Sequence, residues 1–173
     1  MSSEIMSLEM DVFCLLLLIR ILYQMYINRV QNDHWNYFYY TIAWACVYLF
    51  MDAIWIMNVK HFLTFSKIQS GIFNSFYFCS LAMLVCSWYV YVQKTLHSAV
   101  LKHKKILVLT FIPLIFFIGS SLLSYWTHGL FVIDQAGNYH RGKLLPFYFL
   151  ILFAYILYLS IKAGYLSKKA KNY

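Results

Sequence analysis

The sequence predicts an all-α membrane protein: an up-and-down bundle of five transmembrane helices, with a short β-hairpin-like loop between helices four and five. Three observations carry this. Of 173 residues, 62% are hydrophobic and 12% charged, a composition unsuited to a surface bathed in water. The apolar residues run continuously rather than alternating, and two prolines and six glycines supply few turns for an all-β chain. Finally, apolar runs reach the length of about 20 residues that a hydrocarbon core of about 30 Å requires.

The predicted spans are residues 9–27, 37–58, 70–93, 104–126 and 145–165, forming one domain over 1–173. The connections INRVQNDHW, VKHFLTFSKIQ and KTLHSAVLKHKK are short, as is the stretch FVIDQAGNYHRG before the last span. Neighbouring spans are therefore antiparallel. The N-terminal MSSEIMSLEMD has no basic region and no small-residue cleavage site after its apolar run, so the first span is expected to be a retained helix rather than a signal peptide.

Basic residues orient the bundle, because positively charged loops stay cytoplasmic. With the C-terminus inside, the inner segments hold Arg29, Lys94, Lys102, Lys104, Lys105, Lys162, Lys168, Lys169 and Lys171, and the outer ones Lys60, Lys67, Arg141 and Lys143. The N-terminal tail carries Glu4, Glu9 and Asp11 with no basic residue. N-terminus out and C-terminus in is the expected topology, and FVIDQAGNYHRG then lies outside. The net charge of +8 is spent on orientation and headgroup contact, so nucleic acid is not an expected partner. Cys14, Cys46, Cys79 and Cys86 lie in apolar runs and read as small buried hydrophobes. Tyr and Trp gather near the span ends, where membrane proteins place amphipathic rings. No small-xxx-small motif stands out as a helix-pairing signal.

Two full charges sit inside spans, Arg20 and Asp52, each costing at least ~2.5 kcal/mol near the bilayer centre. At a rise of about 1.5 Å per residue their depths differ by about 12 Å, so Arg20 is expected to snorkel to the inner side. Asp52 falls in the outer half, either in an outward-facing polar pocket or neutralised among neighbouring hydroxyls.

In the outer loop, Asp134 opens and Gly137 closes a four-residue turn of type I chemistry. The flanking residues form a hairpin with Phe131 and Ile133 on one face of the first strand, and Tyr139 and Arg141 on one face of the second. Such a hairpin is either a lid across the mouth of the bundle or a rigid connection between two spans.

Four features resemble a known family: FMDAIW in span two, SWYVYVQKTL at the inner end of span three, the Pro-containing FIPLIFF of span four, and FVIDQAGNYHRG. The last follows a pattern F-x-I-D-x-x-G-x-Y-x-R-G. Together they resemble the five-span N-terminal membrane modules of bacterial GGDEF-type signalling proteins, the diguanylate cyclases that make cyclic di-GMP. The resemblance implies a sensor or input unit in a bacterial cytoplasmic membrane, whose fifth span drives a cytoplasmic output domain. No GGDEF motif occurs in these residues, so the chain as it stands is not expected to be an enzyme. The candidate ligand-binding or lid residues are Asp134, Gly137, Tyr139, Arg141, Gly142 and Asp52.

The expected partners are the lipid bilayer, a small ligand, an output domain or partner protein and, through the resemblance, a second copy of the chain. Two other readings compete: a small transporter or its substrate-binding subunit, gated by the hairpin, and the input unit of a histidine kinase. No phosphate loop, HExxH, CxxC or paired carboxylates in one loop or on one helix face occur. His128, Asp134 and His140 follow no metal-ligand spacing, and no histidine lies centrally in a span to hold haem. No metal and no cofactor are expected.

Overall fold

The computed structural model describes residues 3–27, 33–59, 62–95, 104–135 and 139–170. Five helices, α1 (Ser3–Ile27), α2 (Asp33–Val59), α3 (Lys67–Thr95), α4 (Lys104–Thr127) and α5 (Leu145–Ala170), are joined before α5 by β1 (Phe131–Ile133) and β2 (Tyr139–Arg141). Four of the helices, α1, α2, α3 and α5, are long and apolar enough to cross a membrane, and α4 contributes the apolar stretch Phe111–Thr127. Inside hydrocarbon every backbone donor needs an internal partner, which an uninterrupted helix provides. Hydroxyls follow the same logic: Thr41, Ser121 and Ser160 donate to the carbonyls of Tyr37, Phe117 and Ile156 on their own helices.

The ends of the helices are written locally. Before α3, Ser66 and Gln69 form a reciprocal capping box: the Ser66 N–H donates to Gln69 Oε1 at 3.0 Å and the Gln69 N–H to Ser66 Oγ at 3.4 Å. At the end of α4, His128 takes a positive φ of 55°, and its N–H donates to the Ser124 carbonyl at 2.8 Å. This left-handed residue stops the helix. The Ser124 hydroxyl then accepts from the N–H groups of Leu130 at 2.8 Å and Phe131 at 3.1 Å, turning the chain back over the bundle. Ser124→Ala strands two buried donors at once, and a loss of about 2 kcal/mol is expected as a lower unfolding temperature in detergent.

Helix α3 is the hub, packing against α2, α4, α5 and β1, while α1 rests on α2. Its buried face carries Ser70, Gly71, Asn74, Ser75, Phe78, Ala82, Val85, Tyr89 and Gln93, a helical stripe that begins with small residues. A Cβ on Gly71 would lie 2.2 Å from the Tyr125 ring, so the absent side chain lets α4 approach. Gly71 and Ser75 are a small-xxx-small pair within one chain. That corrects the expectation that no such motif stands out.

One core cluster runs from the helices into the hairpin: Phe78, Val85, Leu114, Phe117, Leu130, Phe131, Ile133, Leu145, Tyr148 and Leu152. Rings organise it. Phe78 stacks on Phe131 at 6.0 Å and meets the edge of Tyr148 at 5.5 Å, and Tyr148 meets Phe117 at 5.0 Å. The Tyr148 hydroxyl donates to the Phe78 carbonyl, tying α5 to α3. At the other end of the same pair, Lys162 Nζ donates to Gln93 Oε1 at 2.6 Å. By contrast, α1 has no buried residue across its apolar window. Its Phe13, Leu16 and Leu17 are exposed, as is Arg20.

Candidate ligand-binding site

The site begins with the strand register. Phe131 pairs with Arg141, Val132 with His140, and Ile133 with Tyr139, so Phe131, Ile133, Tyr139 and Arg141 project from one face. That face turns toward the helices. Phe131 and Ile133 are buried, and Tyr139 stacks on Phe131 at 6.5 Å and meets Trp55 of α2 edge-on at 5.8 Å. The opposite face looks away from the bundle, and there His140 Nε2 lies 3.3 Å from Asp134 Oδ2.

Where β2 leaves the hairpin, Gly142 passes against the backbone that precedes β1. Its N–H donates to the Leu130 carbonyl at 2.8 Å, and the Leu144 N–H to the Gly129 carbonyl at 2.9 Å. A Cβ on Gly142 would stand 2.2 Å from the Gly129 carbonyl oxygen, so no other residue fits without moving backbone. Three residues later α5 begins, with Pro146 in its first turn, where a missing N–H costs nothing.

Between these parts lies a cavity of about 460 Å³, within the range that holds small ligands. Trp55 comes from α2, Tyr77 and Phe78 from α3, Tyr139, Arg141 and Gly142 from the hairpin, and Leu145, Pro146 and Phe149 from α5. The lining is mostly aromatic, and Arg141 is its one formal charge among the described residues. Trp55 and Tyr77 stack at 6.2 Å, with 17° between their planes. Burial pushes the Tyr139 hydroxyl above its ordinary range, with the Arg141 charge acting in the opposite sense.

A polar network lies behind the Tyr77 wall. Asp52 lies near the Tyr77 hydroxyl and the Asp11 side chain, and the Tyr77 and Tyr48 hydroxyls are 3.3 Å apart. Asp11 Oδ2 is shut off from solvent. Asp11, counted by charge with the acidic N-terminal residues although it falls inside the expected window 9–27, lies in α1. It stands eight residues from the Ser3 end of α1 and Asp52 seven from the Val59 end of α2, so both lie about 11 Å from the hairpin-side helix ends at ~1.5 Å per residue.

The structure thus brings Tyr139, Arg141 and Gly142 together on one cavity and sets Asp52 one residue behind it. Asp134 is on the hairpin's outer face, and Ala136 and Gly137 of the expected turn lie outside the described residues. Trp55, Tyr77 and Asp11 were missed. Trp55 follows Asp52 by three positions and shares its helix face, a signal present in FMDAIW. No group of three metal-ligating side chains occurs among the described residues. Comparison with protein-family models, curated proteins and solved structures finds no match.

Proposed function

We propose that the chain is a five-span signal-input module of a bacterial cytoplasmic membrane, with the hairpin end outside, and that it relays occupancy of the cavity to a cytoplasmic output of the cyclic di-GMP type. One observation carries the reading. The cavity is walled on one side by Tyr139 and Arg141 and on the other by the first turn of α5, and the two walls are joined by only Gly142, Lys143 and Leu144. An occupant therefore touches the hairpin and the helix that would drive the output at the same time. Ligand energy shifts a conformational balance only where the ligand contacts differ between states, and this junction is where they would differ.

The hairpin acts here as a wall rather than a swinging lid, since β1 is built into the core by Phe131 and Ile133. The Tyr48–Tyr77 hydroxyl pair ties α2 to α3 beneath it, and the Lys162–Gln93 bond holds α5 to α3 at the far end. The resemblance of FVIDQAGNYHRG to the outer loop of GGDEF-type modules supports the same reading.

Arg141→Ala in the protein linked to its output is expected to abolish the stimulus-dependent change in cyclic di-GMP while leaving membrane insertion intact. Deleting the protein should alter cyclic di-GMP and leave solute uptake unchanged. Uptake that falls with unchanged cyclic di-GMP would instead identify a transporter.

A further inference from the structure

We infer that the cavity binds an anion carried on a flat apolar body, with the anionic head on Arg141 and the body against the rings of Trp55, Tyr139 and Phe149. The inference rests on reading the cavity as the input site and adds the ligand's chemical class. Charge decides the head. Arg141 is exposed and is the one formal charge in the lining among the described residues. The nearest hairpin carboxylate, Asp134, is turned to the other face beside His140, while Asp52 is not among the described residues that line the cavity. No carboxylate contacts the Arg141 guanidinium among the described residues. A guanidinium has five donors in a planar fork, which matches a carboxylate or phosphate.

Shape decides the body. The Trp55 and Tyr77 planes are within 17° of parallel, and Tyr139 closes on Trp55 at 90°. Flat walls meeting at a right angle suit a planar apolar group, which stacks on one wall and meets the other edge-on. A volume of about 460 Å³ holds one or two fused rings or a short chain, not a whole phospholipid. The α5 side of the cavity is Pro146 and exposed Phe149, so its mouth lies beside lipid, where an amphiphile arrives head to water and body to hydrocarbon.

The test uses the full chain in phosphatidylcholine nanodiscs with three probes of one shape: naphthalene-2-carboxylate, its neutral carboxamide, and 2-naphthylmethylammonium. The carboxylate is expected to bind at least about tenfold more tightly than either relative, the worth of one charge-assisted contact. Arg141→Ala should remove that preference while leaving carboxamide binding as it was, and Arg141→Lys should restore part of it. Replacing a third of the lipid by phosphatidylglycerol separates the sources: competition assigns the site to a lipid headgroup, and its absence to a free anion. Equal binding of the ammonium probe, no effect of Arg141→Ala, or failure of all three to bind overturns the inference. A cationic preference would leave the input reading standing with another ligand class. A carboxylate that binds through Arg141 without altering cyclic di-GMP would keep the ligand class and remove the input reading.

Discussion

Tyr148→Ala is expected to destabilise the bundle more than any other single truncation near the site, by about 3–5 kcal/mol, read as thermal inactivation or unfolding in a mild detergent. Tyr148 is fully buried, and its ring touches Phe78 and Phe117. Truncation opens a void that three elements, α3, α4 and α5, would have to collapse around. Its hydroxyl also holds the Phe78 carbonyl, so the change removes packing and a helix-to-helix hydrogen bond together. Tyr148→Phe separates the two contributions. It keeps the ring and should cost about 1 kcal/mol. An alanine variant no less stable than the phenylalanine variant would show that the ring cluster does not anchor α5.

Gly142→Ala is expected to cost at least about 2 kcal/mol and to abolish naphthalene-2-carboxylate binding. The added methyl would stand 2.2 Å from the Gly129 oxygen and 2.5 Å from the Leu130 carbonyl carbon. Both are backbone atoms, pinned by the pairings Gly142 to Leu130 and Leu144 to Gly129. Relief requires the hairpin to lift, which carries Tyr139 and Arg141 off the cavity. Gly119→Ala is the matched control: a Cβ there meets nothing within 4 Å, and replacing a helical glycine should leave stability the same or up to about 1 kcal/mol higher. Retained binding in Gly142→Ala would mean that the close approach does not hold the hairpin in place.

Much of the architecture is legible in the residue order. Continuous apolar runs of about span length predict helices, the form in which a chain in hydrocarbon would satisfy its own backbone. Ser66-x-x-Gln69 is a start signal that needs no tertiary partner. The alternation of FVI and YHR foretold which residues share a hairpin face, since a strand's period of two is local geometry. Asp11 falls within the expected window 9–27, and its place beside the acidic residues of the N-terminal end hides that it belongs to α1.

Other features depend on how each helix is rotated about its own axis, and a sequence with apolar residues on every side carries little of that. Phe78 is one aromatic among many in α3; only the packing of α4 on Gly71 and of α5 through Tyr148 turns it toward Phe131. Burying Phe131 and Ile133 made the hairpin a wall of the cavity, where the turn chemistry of Asp134 and Gly137 allowed a lid equally well. Local chemistry therefore settled the helices, the hairpin and the candidate cation Arg141, because each depends on neighbours a few positions away. The cavity, and the approach of Asp11 to Asp52, came from side chains up to about ninety positions apart in the chain, which meet only once helices without a preferred face have packed.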